Sequence, residues 1–242
     1  MKSLCIAALV VAAGFIAAHA QTIQVSKENR TIAITATDRV IAMADVATLH
    51  LGFIAYGPDS ASAYANGSRI SNAIAAAVTA AGVPADDLES ENQNVSPVQD
   101  YLVQKLTDAE RAQRKFQVTQ SWTVRTNARD AAAILDLAVK AGANQSGQID
   151  WSLRDENAPQ AEAAAKALTS ARTQAEKMAA SLNAHLGPLI YASNEVRAEP
   201  IRPIIHAMSS PSVAMAAAPA PLAINPRRIE KSATVFAVFA IE

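Results

Sequence analysis

Cysteine is almost absent from this 242-residue chain, which has one such residue, Cys5. A disulfide framework and a thiolate metal site each need several cysteines, so both are excluded. Charge of one sign is also lacking, because 21 Lys and Arg face 22 Asp and Glu. Without a net field, recruitment of nucleic acid or anionic lipid is not expected. Hydrophobic residues make up 50% of the chain, which excludes a disordered chain and indicates a globular protein with a substantial core.

Familiar catalytic motifs are missing too: G-x-S-x-G, the P-loop, G-x-G-x-x-G and H-E-x-x-H do not occur. His50, His185 and His206 lie far apart and show no metal-ligand spacing. We expect His50 on the wet face of a strand, His185 at a helix C-terminus and His206 in a loop. The sequence therefore predicts no catalytic residue, no metal site and no cofactor, although a triad assembled from distant residues stays open.

Two acidic groups have structural explanations. Asp86, Asp87, Glu89 and Glu91 form a cluster without the spacing or glycine of a calcium loop, so we expect a solvated turn. Asp155-Glu156 precedes a long helical pattern and is better explained as helix capping.

The N-terminus has the pattern of a signal peptide. Lys2 precedes an apolar stretch over 4–18, and Ala18-His19-Ala20 fits a small-x-small cleavage site. The stretch is shorter than the ~20 residues of a membrane span. We predict removal of residues 1–20, a mature chain from Gln21 without cysteine or transmembrane helix, and a periplasmic location with possible envelope or outer-membrane association.

Alternating and helical hydrophobic patterns predict a series of strands and helices in the mature chain. The helix after residue 127 takes Asn127 as its cap and ends at Gly142. The polar stretch 107–114 reads as a turn, and 198–228 as a long Pro- and Ala-rich loop. The predicted strands span 31–37, 45–56, 88–102, 116–126, 149–153, 189–196 and 229–241, and the helices 60–81, 127–141 and 156–185. The long helix is predicted to line one face with Ala161, Ala164, Leu168, Ala175, Met178 and Leu182.

The element order indicates an α+β fold over one domain, residues 21–242. From 45 to 154 the order is βαββαβ, the split βαβ arrangement, which forms a mixed, mainly antiparallel sheet with helices on one face. The long helix and the terminal strands must then extend or cover that sheet. Because both faces of 229–241 are apolar, we expect this strand in a central or interface position.

The segment 134–155, ILDLAVKAGANQSGQIDWSLRD, resembles the signature of the SIMPL-domain family. The block Ala141-Gly142-Ala143-Asn144 matches, and Gly147, Trp151, Leu153 and Asp155 fall at or near patterned positions. Gln148 stands where the family more usually has isoleucine, and Trp151 replaces its phenylalanine. Agreement continues in order through 84–88, 95–98, 171–180 and 234–241. The resemblance implies a bacterial envelope protein without agreed catalytic residues. Some members are linked to oxidative stress, and some are similar to subunits of ring-like or channel-like assemblies.

Two functional hypotheses remain. The first is a non-enzymatic periplasmic protein that assembles into a homo-oligomer and supports envelope or oxidative stress tolerance. The second is a small-ligand-binding protein or hydrolase with a cryptic site between the sheet and the helices. Within the matched block, Gly142 reads as a helix terminator and Asn144 as a turn or bulge former, with a binding role for Asn144 left open.

Overall fold

A computed structural model describes residues 30–195 and 220–242. The strands are β1 Thr31–Met43, β2 Val46–Gly57, β3 Leu88–Pro97, β4 Phe116–Asn127, β5 Gln145–Ser152, β6 Leu186–Glu195 and β7 Arg228–Ile241. The helices are α1 Ser60–Ala80, α2 Asp100–Val103, α3 Asp108–Gln113, α4 Ala131–Lys140 and α5 Asn157–Ser181, with a short 3₁₀ turn at Ala85–Asp87.

Strands β2 to β5 form an antiparallel sheet in the order β3-β4-β2-β5. This order confirms the predicted split βαβ arrangement, because β4 lies between β2 and β3, which α1 connects. The apolar face of β2 packs under α1 and α4. The largest fully buried side chains of this core come from β2, α1 and β4: Phe53, Leu49, Ile74, Val78 and Val124.

The terminal strands form a second antiparallel sheet, in the order β1-β7-β6, with α5 on one face. The α+β class is confirmed, whereas the expectation that these elements extend or cover the first sheet differs from the structure. The physical reason is that β1 and β7 pair with each other so that their apolar side chains lie on the same face of the sheet. Their inward side chains, Ile32, Ile34, Ala36, Val235, Ala237 and Phe239, make a separate core with α5. As expected, β7 occupies a central position.

Helix α5 meets this sheet through a stripe of alanines rather than through its larger apolar residues. Of the predicted face, Ala175 is fully buried and Ala164 and Leu168 pack partly buried against this core, but Met178 and Leu182 are 46% and 63% exposed. Small side chains at i,i+4 spacing let the helix backbone approach the sheet closely, which larger residues would prevent. The buried stripe consists of Ala163, Ala167, Ala171, Ala175 and Ala179.

Several local predictions are corrected. The stretch 107–114 contains α3, because Thr107 and Glu110 form a reciprocal capping box. Asn127 ends β4 instead of capping a helix, and α4 begins after Asp130. The strand predicted over 88–102 ends at Pro97, because proline has no backbone N–H to donate to the neighbouring strand. Helix α2 follows it.

Other local predictions are confirmed. Asp59 caps α1 by accepting a hydrogen bond from the Ser62 backbone N–H at 2.7 Å, and Gly82 follows the helix with a φ of 92°. Asp155 accepts bonds from the N–H groups of Asn157 and Ala158 at the start of α5, the expected capping role.

Asp45 joins the two sheets. Its N–H donates to the Ser152 carbonyl and its own carbonyl accepts from the Ala128 N–H. Its carboxylate accepts from the Arg154 N–H at 2.8 Å. The short link between β1 and β2 is therefore fixed to the ends of β4 and β5.

The predicted signal peptide and most of the predicted loop 198–228 lie outside the described residues. Residues 220–227 are described and contain neither helix nor strand, and Ile224 packs on the first core. Within the described ranges, no helix has both the length and the hydropathy needed to cross a membrane.

Candidate functional site

A histidine between two carboxylates lies on the face of the four-stranded sheet opposite α1 and α4. His50 Nδ1 lies 3.0 Å from Glu91 Oε1, and His50 Nε2 lies 2.9 Å from Asp150 Oδ2. The three residues come from β2, β3 and β5. The cluster therefore connects the central strand to both edge strands of the sheet.

Strand irregularities bring these side chains together. The β3–β4 register shifts between Ser90 and Asn92, which places Glu91 at the shift and directs it across β4. The β2–β5 register shifts opposite His50, where a Cβ on Gly147 would lie 3.2 Å from the His50 Cβ. A glycine at this point lets the β5 backbone pass close to the imidazole.

The pKa of His50 is raised above its ordinary value. The hydrogen bond with Asp150 is the largest cause, partial burial opposes it, and Glu91 adds a smaller stabilisation of the charged ring. The side chains remain accessible, with His50 one-third exposed. The cluster is thus partly solvated, and its two carboxylates favour the protonated form of the ring.

The positions of the two carboxylates leave the His50 ring without a nitrogen available for acid–base catalysis or metal binding. Both ring nitrogens bond carboxylates on opposite sides, so neither is directed at a hydroxyl nucleophile or at a shared metal position. Thr123, the residue opposite His50 on β4, makes no side-chain hydrogen bond to it among the described contacts. Within the described ranges, no group of three or more His, Cys, Asp or Glu is arranged to hold a metal ion.

Sequence reasoning placed His50 correctly on the wet face of its strand but missed its partners. The acidic cluster was expected in a solvated turn, but Glu89 and Glu91 lie within β3, inside the strand predicted over 88–102. The signal that could have found Asp150 is the alternation of β5, which puts this carboxylate on the polar face of a strand neighbouring β2. His185 follows α5 and pairs through its backbone with Glu242, and His206 lies outside the described residues.

Asn144 serves as a side-chain extension of the sheet. Its amide nitrogen donates to the Ile54 carbonyl at 2.9 Å, and its amide oxygen accepts from the Ile54 N–H at 2.8 Å. Gly142 has a φ of 119° and terminates α4 as predicted. The matched block therefore ends a helix and attaches the following chain to β2, with the Asn144 amide occupied by backbone.

The second feature of interest is the outer face of the three-stranded sheet, the side opposite α5. Phe236 and Tyr191 meet there with ring centroids 6.2 Å apart, and Val238 lies beside them. Further along, Ile41 and Met43 are 58% and 53% exposed. Among the described helices, only α5 packs substantially on this sheet, so no described helix covers its outer face.

Comparison with known proteins identifies the family. A family model described as SIMPL, protein of unknown function (DUF541), matches residues 32–239. The 26 kDa periplasmic immunogenic proteins of Brucella melitensis biotype 1 (strain 16M) and Brucella abortus (strain S19) are each 26% identical over 212 residues. The alignments cover 87% of this chain and 84% of each relative. Because the family model spans nearly all of the chain, including both sheets, the protein belongs to the SIMPL family.

Proposed function

We propose that this chain is a non-enzymatic periplasmic protein that self-associates through its three-stranded sheet and supports envelope or oxidative stress tolerance. One observation carries the self-association: beside the Arg39–Glu230 ion pair, the outer face of that sheet exposes the apolar side chains of Ile41 and Met43, and no described helix covers it. Adjacent exposed apolar side chains are typical of contact surfaces, because their removal from water favours association.

The chemistry of the His50 cluster supports the non-enzymatic part of the proposal. A general base needs a ring nitrogen within reach of a substrate proton, and both nitrogens of His50 are engaged by carboxylates. The alternative, a cryptic site between sheet and helices, would lie where the structure places large apolar side chains. The buried residues of the described part include no polar or charged side chain, so no observation favours that alternative.

Light scattering of paired variants tests the contact surface. Ile41→Lys combined with Met43→Lys places two charges on the outer face at exposed positions, so the fold should persist while association weakens. Tyr64→Lys combined with Leu102→Lys is the matched control, because these residues are similarly exposed, at 63% and 54%, on α1 and α2. We expect only the first pair to lower the mass of the assembly, and equal masses for the two pairs would contradict the proposal.

The location and the stress role have separate tests. The relatives are named periplasmic proteins, which supports the same location for this chain. Fractionation of the source cell should recover the protein in the periplasm, with Gln21 at its N-terminus. The stress role comes from the family resemblance, and it predicts that loss of the gene lowers survival in peroxide or detergent. Complementation by wild type, but not by the Ile41/Met43 double variant, would link survival to self-association.

A further inference from the structure

The two sheets have four edge strands among the described residues, and three of them carry features that hinder pairing with another strand. Strand β3 has a register shift, two glutamates and a terminal Pro97. Strand β5 has a register shift beside Gly147. Strand β6 contains Pro188 and two register shifts. Bulges, charges and prolines are the usual means by which edges avoid edge-to-edge association.

Strand β1 lacks these features over its first half. The segment Thr31–Thr37, TIAITAT, has no charge, proline or glycine. Its ladder with β7 runs without a register shift from Thr31 to Met43. A long, regular and uncharged edge of threonine and aliphatic residues is the kind of strand that accepts another strand.

Alternate residues of β1 direct their backbone groups away from β7, toward an edge that no described strand occupies. The Arg30 carbonyl accepts from the Ile241 N–H at 3.1 Å, and the Ala44 N–H donates to the Arg227 carbonyl at 2.8 Å. Even-numbered residues therefore turn their backbone groups toward β7. In an antiparallel ladder the alternate residues turn theirs away, so odd-numbered residues from Thr31 to Met43 direct their backbone groups to the edge that no described strand pairs with. At this edge the Arg39 N–H donates to Asp38 Oδ1 at 2.8 Å.

We propose that β1 pairs antiparallel with β1 of a second copy of this chain, about a two-fold axis at Thr37, joining two three-stranded sheets into one of six strands. This inference rests on the proposed self-association and adds an edge contact to it, separate from the outer face of the sheet. In this register Thr37 faces Thr37 of the second copy, and both residues direct backbone groups to the shared edge. All of β1 is then paired.

The side chains of β1 favour this register, and they fit β1 of a second copy as the partner strand. Asp38 lies opposite Ala36 of the second copy and Arg39 opposite Thr35, so no like charges face each other. Centring the axis one residue later would oppose Asp38 with itself, and two residues later would oppose Arg39 with itself. On the outer face, the exposed Ile41 and Met43 come to lie beside Ala33 and Thr31 of the second copy.

Disulfide crosslinking tests the pairing in the full chain carrying Cys5→Ser, in which an introduced thiol is the only one. Thr37→Cys places two thiols opposite each other, with Cα atoms about 5.5 Å apart, within disulfide range. Thr31→Cys is the matched control, since its two copies would lie about 40 Å apart along the strand. We expect a reducible dimer on a denaturing gel for Thr37→Cys and none for Thr31→Cys.

A charge variant provides an independent readout. Thr37→Lys opposes two ammonium groups across the axis and should weaken association about tenfold, whereas Thr169→Lys, on the exposed side of α5, should leave association unchanged. An assembly that persists without a Thr37→Cys crosslink overturns the edge pairing and leaves the proposed function intact. Equal crosslinking at positions 31 and 37, or crosslinking to a different protein in cells, also overturns it. A monomer at every concentration overturns both proposals.

Discussion

The charged form of His50 is favoured by carboxylates that approach both ring nitrogens from strands on either side of β2. Because the ion pairs are partly solvated, their contribution to stability is modest. The cluster nevertheless connects β2 to Glu91 and Asp150, which lie near register shifts where backbone pairing is interrupted. Its effect on the sheet therefore depends on the protonation of one imidazole.

The pH dependence of stability checks this role. The pKa of His50 is raised in the folded state, so its contribution is fully present below the unfolded value of about 6.5 and is lost as pH rises through the folded value. We expect His50→Gln to lower the free energy of unfolding by about 0.5–1 kcal/mol at pH 5.5 and by less at pH 9. Urea titrations of wild type and variant measure the difference.

His185→Gln is the control for that series. His185 is the other histidine in the described ranges, and its backbone, rather than its ring, makes the hydrogen bonds to Glu242. A stability effect of His50→Gln that is independent of pH, or a matching pH dependence for His185→Gln, would contradict this role of the His50–Glu91–Asp150 cluster.

Asn144 gives a second prediction at this scale. Asn144→Ala removes both side-chain hydrogen bonds to the Ile54 backbone and should lower the free energy of unfolding by about 1–2 kcal/mol. Asn94→Ala is the matched control, because the Asn94 amide bonds only the Ser96 hydroxyl, at 3.3 Å on an exposed edge. Denaturant midpoints that fall equally for both variants would argue against the proposed attachment of this segment.

Individual residues could be placed on faces from the sequence, but their partners could not. Alternation alone put His50 on the polar face. The distance from His50 to Glu91 depends on strand order and on a one-residue register shift, which no local pattern encodes. Asn144 was recognised by its block, yet its bond to Ile54 joins residues 90 positions apart.

Helix α5 packs through small residues, and this determines how substitutions on it will act. Ala171→Leu inserts a branched side chain where the alanine is fully buried against the sheet, and should lower the free energy of unfolding by about 1–3 kcal/mol. Ala165→Leu, on the exposed side of the same helix, should change it by less than about 0.5 kcal/mol. Thermal or urea unfolding of both variants separates the packing effect from helix propensity.

Strong local patterns predicted the elements well. The caps at Asp59 and Gly82 gave both ends of α1. The buried face of α5 was mispredicted because larger apolar residues were taken to be the core-facing ones, whereas the sheet requires close approach. Helix α3 was missed because its capping box lies in a polar stretch without a hydrophobic face.

At the scale of the whole molecule, the described residues form two sheet–helix units joined at Asp45. The α+β class and the split βαβ order followed from element sequence, because those connections constrain neighbouring strands. The division into two sheets did not follow, since alternation shows which face is buried but not which strands pair. The same division leaves the outer face of the three-stranded sheet uncovered by a described helix and leaves β1 as a regular open edge.

Self-association is the central claim, and the mass of the protein in solution tests it most directly. Size-exclusion chromatography with light scattering, repeated over a wide concentration range, should give a mass of at least two chains that falls on dilution or in the Ile41/Met43 double variant. The mass of a single chain at every concentration, including the highest attainable, would contradict the account.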